Sequence, residues 1–146
     1  MSRENIKIYI DGAAKGNPGE AGIGIVLLDA HGKSLFKIGC YIGHATNNQA
    51  EYQALIMALE KVLDLGRREI IVFTDSELIE KQIKGLYKVK NETLKQYHTR
   101  ARNLLNRFQS FQVELIPREE NREADRLASK AALERADQFD EVHDRK

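Results

Sequence analysis

A chain of 146 residues, 42% apolar and 31% charged, has the length and balance of one soluble domain with a sizeable core. Its apolar runs are too short to cross a bilayer, MSRENIK carries no signal-peptide hydrophobic region, and the lone Cys40 excludes an internal disulfide. A cytoplasmic protein with no membrane partner is expected. The net charge of +1 hides an asymmetry: residues 81–107 hold eight Lys or Arg against Glu92, a net +7, which leaves −6 elsewhere. A basic segment on an acidic body suits contact with a phosphate backbone, and it equally suits a solvated helix face.

Residues 5–10 alternate apolar and polar and predict a strand ending at Asp11-Gly12. GIGIVLLD (22–29) predicts a second strand, His31-Gly32 a turn, and residues 33–43 a third strand in hairpin with it; Cys40 then reads as a buried, inert thiol. Between the first two strands, Gly16-Asn17-Pro18-Gly19-Glu20-Ala21-Gly22 lacks the ending of a P-loop and leads into a strand, which excludes a dinucleotide-binding loop. From 48 to 64 the period becomes helical, with Tyr52, Leu55, Ile56, Leu59, Val62 and Leu63 on one face and Gly66 as the stop. The continuous apolar run 70–74 predicts a strand buried on both faces. Helices near 76–84 and 91–108, a strand at 112–116 stopped by Pro117, and a helix at 122–136 complete the domain; residues 137–146 read as a polar, frayed tail. The order βββαβααβα predicts an α/β fold with a mixed sheet, an antiparallel meander followed by strands reached through helical crossovers.

Four acids stand at the ends of strands or the starts of helices: Asp11, Glu51, Asp75 and Asp125. Each has an ordinary structural reading. Asp11-Gly12 suits a turn, and Asn48 with Glu51 suits a capping box. Asp75 could cap the helix starting at Ser76, and Asp125 would favour a helix N-terminus electrostatically. Taken together they point elsewhere. If the strands ending at Asp11 and Asp75 are parallel neighbours, both carboxylates emerge at the edge where open α/β sheets bind ligands. Glu51 lies on the border of its helix's apolar stripe, pointing inward. Clustered carboxylates repel unless a cation joins them, and hard oxygen ligands in this number suit Mg²⁺ or Mn²⁺. Thr46-Asn47-Asn48-Gln49, at a helix N-terminus, offers donors for phosphate or sugar hydroxyls, or plain capping. None of His31, His44, His98 and His143 falls in a catalytic pattern.

IYIDGAAKGNPGEAGIGIVL, TNNQAEYQALIMAL, FTDSELI and NREADRLA, in this order and spacing, resemble the ribonuclease HI family over about Ile6 to Ala132. The resemblance implies a ribonuclease H-like five-stranded mixed sheet flanked by helices. It also implies endonucleolytic cleavage of the RNA strand of an RNA/DNA hybrid, leaving 5′-phosphate and 3′-hydroxyl ends. Asp11, Glu51, Asp75 and Asp125 become the ligands of two Mg²⁺ ions, with Mn²⁺ as a substitute. Asn17, Thr46, Asn47 and Asn48 become hybrid contacts, and Glu51 would touch the 2′-hydroxyl that separates RNA from DNA. Three departures stand out. The segment Ile116–Asn121 is short and has no histidine, which leaves Arg118 to act there as a charge and slow turnover as the expectation. GLYKVKNETLKQ is too short for a basic protrusion, so Lys84, Lys88 and Lys90 would partly substitute. Glu77 stands where glutamine is common. Proofreading-type exonucleases, the rival enzymes, carry Asp-x-Glu on the first strand, whereas Asp11 here precedes Gly12-Ala13. A non-catalytic hybrid-binding module is the rival from another class. A monomer is expected.

Overall fold

The structure, a computed structural model, describes residues 5–140. His143 and most of the expected tail lie outside those residues. A mixed sheet forms the centre. Strands β1 (Ile6–Lys15), β2 (Gly19–Leu28) and β3 (Ser34–Ala45) make the antiparallel meander. Strands β4 (Glu69–Thr74) and β5 (Ser110–Leu115) add in parallel on the far side of β1. The five strands stand in the order β5-β4-β1-β2-β3, as the mixed-sheet expectation required. A short sixth strand, β6 (Gln138–Asp140), pairs antiparallel with β3, so the start of the expected tail closes a sheet edge instead of fraying.

Helix α1 (Asn47–Asp64) covers one face of the sheet. Ile6, Ile8, Ile10, Ile23 and Ile25 are fully buried in the same core as Tyr52, Leu55 and Leu59, the α1 residues on the predicted apolar stripe. Helices α2 (Glu77–Ile83) and α3 (Glu92–Leu105) follow β4, and α3 packs on α1. A Tyr52 hydroxyl to Gln82 Oε1 bond (2.6 Å) and a His98 Nε2 to Gln82 carbonyl contact (3.0 Å) tie the three helices together, a structural use for that histidine.

Helix α4 (Arg122–Glu134) lies on the opposite face, pressed against β2 and β3. Its buried side presents Ala124, Leu127, Ala128, Ala131 and Ala132 to Gly22, Gly24 and Gly39 on the strands. A methyl group on Gly24 would land on the Ala124 carbonyl oxygen and lie 2.9 Å from the Ala128 nitrogen. Small residues on both sides thus let backbone meet backbone, which sets how close Asp125 comes to the sheet.

Candidate active site

Asp11 does not end its strand. β1 continues to Lys15 because its β2 partner continues, with Asp11 opposite Gly24 and Lys15 opposite Glu20. What ends near Asp11 is the parallel ladder to β4, whose last pair is Tyr9 with Phe73. Continued by two residues, that register sets Asp11 level with Asp75, just where β4 gives way to the turn into α2. The two acids emerge side by side because one strand loses its neighbour there.

Glu51 arrives from α1. Gly12 makes this possible, since a Cβ on it would stand 2.6 Å from the Ala50 carbonyl carbon and from the Glu51 nitrogen. With that space free, the Gly12 N–H donates to Glu51 Oε2 at 2.9 Å. The Asn48–Glu51 capping box, the ordinary alternative for Glu51, is not formed. Thr46 is the cap instead, accepting from the Gln49 N–H at 3.0 Å while Gln49 Oε1 accepts from the Thr46 N–H. Likewise Ser76, not Asp75, caps α2, accepting from the Ile79 N–H. Two of the ordinary readings of these acids therefore fall to neighbouring residues.

Carboxylate oxygens of Asp11, Glu51 and Asp75 lie within 4.8 Å of one another. Asp11 and Glu51 are each 6% exposed. Burial, followed for Asp11 by its side-chain contact with Glu51 and then by the charges of Glu51 and Asp75, pushes both acids above the ordinary carboxylate range. Glu51 Oε1 is buried with no hydrogen-bond partner. Asp125 sits in the first turn of α4 and helps to hold the Asp11 carboxyl up; its Oδ1 accepts from the Ser129 hydroxyl at 3.5 Å. The four acids line one cleft of about 350 Å³, which also holds Lys15, Asn47 and Arg118. Arg118, on the turn Arg118–Glu120, is largely exposed, with its guanidinium 3.9 Å from Asp125 Oδ1.

A divalent cation fits this donor set. Three clustered carboxylates, two of them buried and one half-buried, with no cationic side chain among them and one orphaned oxygen, are costly alone and favourable around a hard ion.

Asn121 escaped the sequence reading. An asparagine one residue before a helix looks like an N-cap, yet its side chain makes no cap bond to α4. It is 1% exposed, and its amide donates to the Ile10 carbonyl (2.8 Å) and to Asp75 Oδ2 (2.9 Å). It braces one acid against the strand that carries another. Asn121→Ala is expected to raise the half-saturating metal concentration and lower activity about 10- to 100-fold, as lost support of a ligand does. Calorimetric metal titration beside a cleavage assay checks it; unchanged metal affinity would remove the bracing role.

The Thr-Asn-Asn run and the glycine loop meet at the N-terminus of α1. Asn17 Oδ1 accepts from the Asn47 N–H (3.0 Å), and Asn47 Oδ1 accepts from the Ala14 N–H (2.9 Å), stapling the β1–β2 turn to the helix. A groove of about 370 Å³ beside them is lined by Asn17, Thr46, Asn48, Gln49, Asn91 and Leu94. Asn91, the cap of α3, enters only through the tertiary fold. The basic segment is less free than its composition suggests. Lys81 and Lys84 pair with Glu80 (2.7 and 2.5 Å), Lys95 with Glu92 (3.3 Å), and Arg100 with Glu60 (2.5 Å). Of the three lysines expected to replace a protrusion, Lys88 and Lys90 alone make no ion pair among the described residues.

A family model described as reverse transcriptase-like matches residues 9–131. A ribonuclease HI of Halobacterium salinarum is 44% identical over 126 residues, 86% of this chain; the chain spans 63% of that relative's length. The crystal structure of RNase H1 from Halobacterium salinarum NRC-1 superposes with a TM-score of 0.86 at 43% identity, covering 90% of this chain and 99% of that one. LC11-RNase H1 in complex with RNA/DNA hybrid gives 0.85 at 43% identity, with the same coverages. With a family model matched over residues 9–131 and a ribonuclease HI 44% identical over 126 residues, the chain belongs to the ribonuclease H family.

Proposed function

We propose that this protein hydrolyses the RNA strand of RNA/DNA hybrids endonucleolytically, leaving 5′-phosphate and 3′-hydroxyl ends, as a monomeric, cytoplasmic, single-domain enzyme using two Mg²⁺ ions, with Mn²⁺ as a substitute. The observation that carries the reading is the convergence in one cleft of Asp11 from β1, Glu51 from α1 and Asp75 from the turn after β4. Bound there, divalent ions would activate a water and offset the charge that builds on the phosphate and the departing 3′-oxygen. Asp11, Glu51, Asp75 and Asp125 hold them. The Gly12 N–H fixes Glu51, and Asn121 fixes Asp75. Arg118 offers the phosphate a charge and takes no part in proton transfer. Slow turnover follows. Asn17, Thr46, Asn48 and Asn91 face a groove beside the cleft, Asn47 lines the cleft itself, and together they offer neutral donors to the backbones of the hybrid. Glu51, which lines the same cleft, meets the 2′-hydroxyl that separates RNA from DNA.

End-labelled RNA/DNA hybrid, RNA/RNA and DNA/DNA duplexes incubated with Mg²⁺ or Mn²⁺ test this. Cuts confined to the RNA of the hybrid, absent without metal and in Asp75→Asn, are expected. Hybrid bound but uncut with either metal would leave a binding module. In the same assay Arg118→Ala is expected to slow cleavage about tenfold or more, as loss of a charge-stabilising donor does, and Arg118→His to quicken it. A rate unmoved by Arg118→Ala would dismiss the residue.

A further inference from the structure

Among the described residues lining the acidic cleft, Lys15 and Arg118 are the two cations. Arg118 leans toward Asp125, but Lys15 is exposed and makes no ion pair among the described residues. An acid does lie next to it: Glu20 is its cross-strand partner on β2. The Glu20 carboxylate is instead engaged by the Tyr41 hydroxyl and approached by Arg135 at 3.9 Å. The fold thus keeps the adjacent acid occupied and leaves the lysine's charge free at the cleft. Four residues of extended strand, about 13 Å, separate Lys15 from Asp11. Lys15 lines the same cleft as the four acids and makes no ion pair with them among the described residues.

We propose that Lys15 binds a phosphate of the RNA strand beside the one being cut, on one side of the acid cluster only. The inference rests on the hybrid reading above. A nucleic acid strand crossing four carboxylates is repelled wherever its charge is not met, and a cation further along β1 meets one neighbouring phosphate. Lys15 is then a substrate-binding residue that sets the register of the strand. It takes no part in the chemical step.

The test uses the full chain in an Asp75→Asn background, with and without Lys15→Gln, and reads hybrid binding by fluorescence anisotropy. A neutral methylphosphonate is moved through the RNA one position at a time. Lys15→Gln is expected to weaken binding roughly three- to tenfold and to flatten the log affinity against log salt slope by about one, with Lys15→Arg restoring both. At one position the methylphosphonate penalty should vanish in Lys15→Gln while penalties elsewhere persist. Equal penalties at every position in both proteins would overturn the proposal, as would an unchanged affinity. A parent that binds and gives the cancellation but never cuts RNA would remove the cleavage reading and keep this contact. Absence of hybrid binding by either protein would remove both.

Discussion

Asp11→Asn is expected to abolish cleavage and at the same time to make the metal-free protein more stable, by about 1–2 kcal/mol near neutral pH. The carboxyl of Asp11 is buried against Glu51 and Asp75, and its ionised form is disfavoured by desolvation first, by its side-chain contact with Glu51 second, and then by the charges of both acids. Its pKa in the folded protein therefore lies above the unfolded value. A raised pKa contributes stability that is fully present below the ordinary aspartate range and is lost as pH climbs toward the folded value. The amide of asparagine keeps the shape and carries no proton to lose. The gain over the parent should accordingly be small in acid and widen as pH rises from about 4 to 8. Glu51, raised for the same leading reason, adds to the parent's slope. Saturating Mg²⁺ should narrow the gap, because a cation held by the folded state alone stabilises the parent by mass action. Urea melts of both proteins across that pH range, with and without metal, decide the matter. A variant no more stable than its parent at any pH would mean that the acids are not in electrostatic conflict.

Gly24→Ala carries the second large effect. One methyl group added at the β2–α4 contact would collide with the Ala124 carbonyl and crowd the Ala128 nitrogen, both main-chain atoms that no side-chain rotation can move aside. A destabilisation of about 3 kcal/mol is expected, at the upper end of ordinary overpacking. The consequence for activity is local. Asp125 follows Ala124 directly, so relief of the clash by lifting the helix carries this carboxylate away from Asp11. The fraction of the variant that stays folded should cut more slowly and need more metal. Urea denaturation with a metal titration of cleavage on the same preparation reads both consequences. An unchanged midpoint would show that α4 yields without cost.

Much of this architecture was legible because it is written in short-range pattern. Alternation marks β1, an apolar run and the His31-Gly32 turn mark β2 and β3, a 3.6-residue period marks α1, and continuous apolarity marks β4; each depends on residues within a few places of one another. The spacing of the four acidic motifs depends on the same local order, which is why Asp11, Glu51, Asp75 and Asp125 could be named before any fold was known. Boundaries were harder. Asp11-Gly12 resembles a strand end, but whether a strand ends depends on its partner, and β2 remains paired as far as Glu20. Residues 138–140 look like tail until β3 presents an open edge to them.

What tertiary structure alone decided is who meets whom across long stretches of chain. Asn121 bonds to a carbonyl 111 residues away, and by sequence its amide is indistinguishable from a helix cap. Lys81, Lys84 and Arg100 count as free positive charge in composition, yet they are matched by Glu80 and Glu60 in space. Lys15 is the converse, a lysine with an acid opposite that the fold assigns to Tyr41 and Arg135. The sequence by itself determined the elements, their order and the acidic chemistry, because periodicity and residue type are local properties. Only the packed chain decided the closeness of the acids, the brace behind Asp75 and the charges left free for a ligand, because each depends on distances between elements.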